Sequence, residues 1–459
     1  MTELRVIETT SDDEVQAGVS SMDSGALFDL VEPDTPSAAP MRSGARSKRR
    51  SGDSKRARGT QKTTDLRSAG MVTAERDFTS IEICAGAGGQ AVGLHQAGFR
   101  HLALIEIDEY AVGTLRLNIE KHELWAWERD NCDIISADVK EFDPVHGLNK
   151  GSKILKNSGL DLLAGGVPCP PFSHAGKQLG ERDERDLFPR MLELVGILNP
   201  RAVLIENVRG LMDPKFSTYR AWIESQIVDL GYSLRAWKIL EASNFGVPQL
   251  RPRAILVAFR NDIVRGVEYE LPEKTCDDPV SIAEILEPSM RERFDNVDAE
   301  NSERARQAFE RWHQTARNRA LELKGKGGGV APTLVGGSKK HGGADLGPSR
   351  ARAAWKQLGI SGIGVANDIE TCLKKGTEER DLFRPDGPML TVRQAAIVQG
   401  FPDEWEFSGG KTAQYRQVGN AFPPPVAKAV GESIIKVLKE ADERNRKNEA
   451  VEYLTANVM

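Results

Sequence analysis

Cys169 is the residue whose type and surroundings most clearly indicate chemistry. It lies in the segment GGVPCPPFS (residues 165–173), directly after the mostly apolar run Leu160 to Ala164. Glycine lets a backbone approach a ligand closely and proline fixes φ, so the pattern predicts a buried strand that ends in a stiff, exposed turn. A lone cysteine is more often a small buried side chain, and we keep that interpretation for the other four cysteines. Cys169 is instead a candidate nucleophile.

Four more positions of unusual type follow predicted strands. They are the glycine turn CAGAGG (residues 84–89), the sequence Glu106-Ile107-Asp108, the acid Asp138, and the sequence ENV (residues 206–208). Each alone is a weak signal, because a glycine turn or an acid at a strand end also occurs in many structural contexts. In open α/β sheets, however, ligands bind outside the carboxyl ends of the strands. Five such positions in succession therefore predict a single site.

The glycine turn and the acids after it indicate an adenosine-containing cofactor. The turn lets backbone amides approach a carboxylate-bearing ligand, and an acid about 20 residues later, here Glu106, binds a ribose diol. Asp138 can accept a hydrogen bond from an adenine amino group. The turn also satisfies the relaxed dinucleotide pattern Gly86-x-Gly88-x-x-Ala91, so by itself it does not exclude NAD. Most NAD enzymes transfer hydride without a nucleophilic thiol, and Cys169 therefore favours another chemistry.

Three charged side chains are candidates for contact with a reacting ring. Glu206 closes the apolar run Ala202 to Ile205, and burial there would raise its pKa and suit it to donate a proton to a ring nitrogen. Arg251 and Arg253 lie at i and i+2, on the same side of a predicted strand, so one of them could bind a carbonyl oxygen. Surface arginine pairs are common, and alone this pair is a weak signal.

These residues need a scaffold of parallel strands and covering helices. From Phe78 to Arg260 the sequence alternates short apolar runs with segments of helical spacing, as such a scaffold requires. We predict strands at 79–83, 101–106, 134–137, 160–164, 202–206, 234–240 and 254–259. We predict helices at 88–97, 110–118, 188–198 and 219–230. The alternation is typical of a doubly wound, Rossmann-like α/β domain, which we place at residues 78–260.

Residues 261–385 lose this alternation and predict a smaller, loop-rich second domain. Within them, residues 311–360 contain ten Lys or Arg and two acids, with Trp312 and Trp355 interleaved. Basic residues on glycine-rich loops suit contacts with DNA phosphates and grooves, and a solvated insertion fits the charge equally well. Helical patterns return at 390–399 and 425–439. We therefore predict that residues 386–440 rejoin the first domain and that 441–459 form a charged tail.

Residues 1–77 have the composition of a disordered tail. The first 40 residues carry nine acids and one base, and residues 41–70 carry ten bases and two acids. Such a segment buries too little apolar surface to offset chain entropy. The basic half could contact DNA phosphates or fold back on the acidic half, and a start at Met71 would remove the tail.

Whole-chain composition describes an ordinary globular protein of 459 residues with a net charge of −5. The five cysteines show no paired spacing and no Cys/His cluster, so we predict neither a disulfide framework nor a metal site. No signal-like segment and no long apolar run is present. We therefore expect a cytoplasmic protein without a membrane partner.

The order of these motifs resembles the cytosine-C5 DNA methyltransferases of bacterial restriction-modification systems. The resemblance rests on AGAGG (85–89), Glu106, Asp138, Pro168-Cys169, ENV (206–208), Gln249-x-Arg251-x-Arg253 and QVGN (417–420). It covers residues 78–260 and 390–431, and the insertion between them corresponds to the family's variable target-recognition region. Two positions depart from the family pattern: Cys84 replaces an aromatic residue before the glycine turn, and Pro170 replaces the usual Gln.

The resemblance implies a class I methyltransferase fold with S-adenosylmethionine as cofactor and double-stranded DNA as partner. Glu106 would hold the ribose, Asp138 the adenine, and Asn420 with the glycine turn the methionine portion. The residues assigned to the cofactor are Cys84, Ala85, Gly86, Gly88, Gly89, Glu106, Ile107, Asp138, Pro168, Asn420 and Ala421. The residues assigned to catalysis are Cys169, Glu206, Arg251 and Arg253.

By the same resemblance, Cys169 would add to C6 of a cytosine flipped out of the duplex, and C5 would then take the methyl group. Glu206 would contact N3 of the base and Arg253 its O2. A restriction endonuclease with the same recognition site is an expected functional partner. Two alternatives are a tRNA cytosine-C5 methyltransferase, to which the long basic insertion is poorly suited, and a non-catalytic DNA-binding regulator on this fold.

Overall fold

The structure is a computed structural model that describes residues 76–168, 186–324, 328–336 and 344–456. Cys169, Pro170 and nearly all of the predicted N-terminal tail lie outside the described residues. The prediction of disorder for that tail therefore stays a prediction.

A seven-stranded sheet forms the centre of the described chain, in the order β3-β2-β1-β4-β5-β8-β6. Strands β1 to β5 pair in parallel, and β8 is antiparallel to both of its neighbours. A short parallel pair, β7 with β9, lies apart from it. The strands are β1 (Phe78–Ile83), β2 (Phe99–Glu106), β3 (Asp133–Ser136), β4 (Leu162–Gly165), β5 (Ala202–Val208), β6 (Tyr232–Glu241), β7 (Gln249–Leu250), β8 (Pro252–Arg260) and β9 (Ala331–Pro332).

Helices cover the sheet, and five more lie within residues 261–385 of the described chain. They are α1 (Gly89–Ala97), α2 (Glu109–Lys121), α3 (Ala126–Asn131), α4 (Ser152–Ser158), α5 (Phe188–Leu198), α6 (Ser217–Asp229), α7 (Ile282–Asp295), α8 (Ser302–Glu322), α9 (Ser349–Gln357), α10 (Ile369–Lys375), α11 (Glu378–Asp381), α12 (Val392–Gln399), α13 (Lys411–Asn420) and α14 (Pro424–Ala456). The chain order of strands reverses between β1 and β4, and this switch point is where such sheets bind ligands.

Both faces of the sheet are buried because successive side chains along a strand point to opposite sides. On β4, Leu162 and Ala164 pack in the same cluster as residues of α14, whereas Leu163 packs on the other face with residues of α5 and α6. The predicted doubly wound α/β fold is confirmed. The predicted helix at 188–198 has the observed bounds, and the predicted strands agree to within a few residues at each end.

Residues 261–385, which we predict to form a second domain, contain more helix than their polar sequence suggested. Helix α8 buries only a narrow stripe, which consists of Ala305, Ala308, Phe309, Trp312 and Ala316. Alanine in such a stripe gives a weak hydrophobic signal, while Arg306 stabilises the exposed face through ion pairs with Glu303 and Glu310. Trp312 and Trp355 are 2% and 0% exposed. Both side chains are therefore part of the hydrophobic core. Their interleaving with basic residues had suggested contact with DNA, and their burial does not allow it.

The C-terminal segment returns to the first domain, since α14 packs along α1. Its bounds differ from the prediction, because the helix runs to Ala456 and so includes most of the charged segment that we expected to be a tail. Lys, Glu, Arg and Ala are strong helix formers, and they continue the helix where no apolar stripe marks it. In the described part of the chain, no helix combines the length and apolarity needed to cross a membrane.

Candidate active site

A cavity of about 310 Å³ lies at the carboxyl ends of β1, β2, β4 and β5. It includes most of the sequence-predicted positions: Cys84, Ala85, Gly86, Gly89, Glu106, Ile107, Asp138, Pro168, Glu206, Asn420 and Ala421. The wall opposite the strands comes from α13 and the residues that follow it. Residues from both ends of the chain therefore meet at the switch point of the sheet.

The glycine turn has the backbone conformation that its sequence predicts. Gly86 and Gly88 have φ values of 55° and 87°, in the left-handed region that favours glycine. Gly88 precedes α1 without any side-chain cap on the helix, so the first amides of α1 are not used by a capping side chain. An N-terminus of this kind attracts a negatively charged group.

Cys84 also has a positive φ, 53°, which is unusual for a residue with a side chain. Its thiol lines the cavity beside the carboxylates of Glu106 and Asp138. Burial, with these carboxylates adding to it, raises the pKa of the Cys84 thiol to about 12. The thiol is therefore neutral near pH 7, and Cys84 is a wall of the cavity without the character of a nucleophile.

Glu106 is fixed at the end of β2 by three backbone amides. Its Oε2 accepts from the amide of Gly86 at 2.7 Å, and its Oε1 accepts from the amides of Ile107 and Asp108, both at 2.9 Å. The carboxylate thus ties the glycine turn to the next strand and keeps a fixed orientation toward the cavity. Asp138 is held more simply, by the amide of Lys140 at 3.0 Å.

Glu206 of β5 and Arg253 of β8 form an ion pair, with 2.8 Å between Oε1 of Glu206 and Nε of Arg253. Strands β5 and β8 are adjacent and antiparallel, which brings the two residues together. Both side chains are mostly buried, with 14% and 13% exposed. Burial raises the pKa of the Glu206 carboxyl, and the guanidinium groups of Arg253 and Arg251 oppose part of that rise. The site therefore favours a carboxyl that can hold a proton.

Arg251 does not reach the cavity, contrary to the expectation that it contacts substrate. Its side chain is 1% exposed, and its Nη atoms donate to the backbone carbonyls of Leu334, Gly419 and Ala421 at 2.7, 2.9 and 2.8 Å. These acceptors come from chain segments far apart in sequence. Arg251 is therefore a structural residue. It lies in the break between β7 and β8, whereas Arg253 lies within β8, and this break separates the roles of the two arginines.

Pro168 and Leu187 lie on either side of the segment 169–185, and both line the cavity. The amide of Leu187 donates to the carbonyl of Pro168 at 3.3 Å. The side chain of Asn207, in the ENV sequence, donates to the carbonyl of Val167 at 2.8 Å. The described residues that flank the segment with Cys169 are thus held at this cavity.

Asn420 and Ala421 close the cavity from the opposite side. Gly336, in the second domain, is so close to Asn420 that an added Cβ would lie 2.0 Å from its Oδ1. The start of α1 is equally close to this segment, since a Cβ on Gly89 would lie 2.3 Å from the carbonyl oxygen of Phe422. The QVGN sequence is therefore a junction between the glycine turn and the second domain.

Sequence reasoning missed several residues of the site, among them Glu82, Gln90, Arg416 and Trp405. Glu82 and Gln90 line the cavity, and each has a buried polar atom without a hydrogen-bond partner in the described chain. Arg416 lines it from α13. Trp405 supports the glycine turn through a hydrogen bond of 3.0 Å from its Nε1 to the carbonyl of Ala87. The helical spacing of Arg416, four residues before Asn420, is a signal that could have revealed it.

No group of His, Cys, Asp or Glu residues in the described ranges has the arrangement of a metal site. The described polar residues that line the cavity are carboxylates, amides and one guanidinium, and they surround the glycine turn. This donor set suits an adenosine ligand that carries an amino-acid group.

Comparison with known proteins agrees with this geometry. The family described as C-5 cytosine-specific DNA methylase matches residues 78–436. Type II methyltransferase M.NaeI of Lentzea aerocolonigenes is 43% identical over 368 residues, which cover 80% of this chain and 77% of that protein. Type II methyltransferase M.NgoMIV of Neisseria gonorrhoeae is 44% identical over 366 residues, covering 79% of this chain and 99% of that protein. The chain belongs to the C-5 cytosine-specific DNA methylase family and is a DNA (cytosine-5-)-methyltransferase.

Proposed function

We propose that this enzyme methylates C5 of a cytosine that is flipped out of a specific duplex DNA sequence, with S-adenosylmethionine as the methyl donor and Cys169 as the nucleophile. The observation that carries the proposal is the Glu206–Arg253 pair beside the glycine-turn cavity. It presents a proton-holding carboxyl and a guanidinium together, as the N3 and O2 atoms of one cytosine require.

The cavity residues fit the proposed cofactor. Glu106 would hold the ribose hydroxyls and Asp138 the adenine amino group, while the amides at the start of α1 and Asn420 face the amino-acid end. The buried polar atoms of Glu82 and Gln90 that lack partners support a polar ligand in this cavity. When bound, S-adenosylmethionine supplies an electrophilic methyl group on a sulfonium.

Cys169 would start the reaction, because C5 of cytosine is a weak nucleophile until a group adds to C6. The thiolate forms a bond to C6, and the electron density that this addition pushes into the ring is stabilised at N3 and O2. Pro168, its neighbour in the chain, lines the cavity, which supports this role. An ordinary cysteine is only a few per cent ionised near pH 7, so the site must favour the thiolate.

Glu206 and Arg253 would stabilise the adduct. A protonated Glu206 donates to N3, and the raised pKa of this carboxyl supports that state. Arg253 donates to O2 while its pairing with Glu206 keeps both groups aligned. After C5 has taken the methyl group, the C5 proton leaves and the bond between Cys169 and C6 breaks. This restores the aromatic ring and returns the thiolate.

The DNA must present an extruded base, because C6 is inaccessible in a stacked duplex, and extrusion costs a few kcal/mol. The basic segment 311–360 would offset that cost through phosphate and groove contacts. The relatives named as Type II methyltransferases support a role as the modification half of a restriction-modification system. A restriction endonuclease with the same recognition site would then be the functional partner, and the enzyme would act in the cytoplasm.

The test is transfer of labelled methyl from S-adenosylmethionine to duplex DNA by the wild type, Cys169→Ser and a matched control, Cys276→Ser. We expect loss of labelling in Cys169→Ser alone, and full labelling in Cys169→Ser would refute this nucleophile. DNA with 5-fluorocytosine should give a covalent adduct with the wild type, because the fluorine at C5 cannot leave as a proton does. A parallel assay on tRNA decides the tRNA alternative, and wild-type protein that binds DNA without transfer would favour a regulator.

A further inference from the structure

The charge of the active-site cavity is strongly one-sided. Five carboxyl groups line it, from Glu82, Glu106, Asp108, Asp138 and Glu206. Among its described lining residues, Arg416 is the one cation. A ligand with a negatively charged group would be repelled from such a cavity unless that group meets a cation or strong hydrogen-bond donors.

Arg416 is available for this role. Its side chain forms no hydrogen bond or ion pair with any other described residue, and its Nε is buried without a partner. The neighbouring guanidinium groups are occupied: Arg253 pairs with Glu206, and Arg251 donates to three backbone carbonyls. Among the described lining residues, an anion that enters this cavity therefore finds one guanidinium with free donors, that of Arg416.

The position of Arg416 on α13 places it beside the glycine turn. Ala413, Arg416, Gln417 and Asn420 all line the cavity, with the spacing of one helical face. The helix is held in place, because Thr114 donates to Gln417 at 2.6 Å. Its last turn leads directly to the segment that contacts Gly89, the first residue of α1. Arg416 thus lies on the helix that leads into the residues packed against the start of α1.

We infer that Arg416 binds the carboxylate of the cofactor's amino-acid end. This inference rests on the proposed function, since it assigns a residue to the S-adenosylmethionine site. A cofactor that carries a sulfonium, an ammonium and a carboxylate is a cation overall, which suits the five acids, and its single carboxylate is matched by the single guanidinium. A DNA phosphate is the other anion that could reach Arg416, and the experiment separates the two.

The experiment is calorimetric binding of two ligands that differ by one group: S-adenosylhomocysteine and its decarboxylated analogue, S-adenosyl-3-thiopropylamine. The variants are Arg416→Gln, Arg416→Lys and the control Lys411→Gln, which removes a cation from the same helix outside this cavity. The wild type should prefer S-adenosylhomocysteine by about 10- to 100-fold, the range of a charge-assisted contact. Arg416→Gln should lower that ratio by about tenfold through weaker binding of S-adenosylhomocysteine alone.

Arg416→Lys should keep part of the preference for S-adenosylhomocysteine over the decarboxylated analogue, and Lys411→Gln should keep the full preference. An unchanged ratio in Arg416→Gln overturns the inference. If that unchanged ratio comes with weaker DNA binding and a salt dependence reduced by about one phosphate contact, Arg416 binds DNA instead. If the wild type binds neither adenosine ligand, the proposed cofactor itself is wrong, and this outcome is distinct from failure of the Arg416 assignment. Equal thermal unfolding of the four proteins confirms that the comparison reports binding.

Discussion

Nε of Arg253 lies 2.8 Å from Oε1 of Glu206, across two adjacent antiparallel strands. An isolated carboxyl as buried as Glu206 would be costly when ionised. The guanidinium lowers that cost without removing the upward pKa shift that burial produces. The pair therefore provides what the proposed reaction needs: a carboxyl that exchanges a proton, held rigidly next to a cation.

Glu206→Gln should change the pH profile of methyl transfer as well as its rate. Glu206 is active as the protonated donor, so activity should fall as pH rises through its raised pKa, whereas ionisation of Cys169 makes activity rise with pH. Glutamine cannot transfer a proton, and we expect a rate lower by about 10²- to 10⁴-fold. Single-turnover rates measured across pH should lose the descending limb and keep the ascending one. A descending limb that persists in Glu206→Gln would assign it to another group.

Arg251→Met should destabilise the fold by about 3 kcal/mol, because it removes the side-chain donor from the carbonyls of Leu334 and Gly419 and leaves the carbonyl of Ala421 with only the bond from Gln399. Arg251→Lys keeps one charged donor and should lower the free energy of unfolding by less. The matched control is Arg235→Met, at an exposed arginine of β6 that should have almost no effect. Urea unfolding measures all three. If Arg251→Met unfolds like the wild type but has no activity, Arg251 contacts substrate as first expected.

The sequence was sufficient to predict the sheet and the strand-end residues because short apolar runs, glycine turns and terminal acids are local signals. Glu106, Asp138 and Glu206 all lie where the parallel-sheet rule predicts. Arg251 could not be separated from Arg253 in this way, because its role depends on carbonyls 83 to 170 residues distant. Helix α8 was missed for a related reason: its small apolar stripe is complementary to a surface that only the folded domain creates.

Glu82→Gln should stabilise the protein at alkaline pH. Glu82 is 1% exposed, its Oε2 has no partner in the described chain, and burial together with Glu106 raises its pKa well above the ordinary value. A raised pKa in the folded state means that the unfolded chain binds fewer protons above about pH 4.3, so wild-type stability falls as pH rises toward the folded-state pKa. The slope is at most about 1.4 kcal/mol per pH unit for one group.

Glutamine has nearly the same shape and carries no charge, so Glu82→Gln should show a weaker pH dependence, with a gain in stability that grows as pH rises toward the folded-state pKa of Glu82. Thermal unfolding at several pH values measures the difference. Glu120→Gln, at an exposed position of α2, is the control and should leave the pH dependence of stability unchanged. Parallel curves for wild type and Glu82→Gln would show that Glu82 is ionised in the folded protein.

Gly336→Ala should weaken cofactor binding from a position outside the catalytic domain. The added Cβ would lie 2.0 Å from Oδ1 of Asn420 and 3.0 Å from the carbonyl oxygen of Arg416, so the side chain of Asn420 must shift. Because Asn420 lines the cavity, we expect the affinity for S-adenosylhomocysteine to fall by about tenfold, as for one lost polar contact. Gly410→Ala is the matched control, since a Cβ there meets nothing within 4 Å and the φ of Gly410 is −75°. Equal affinity for S-adenosylhomocysteine in the two variants would show that the contact between Gly336 and Asn420 can adjust without changing the cofactor site.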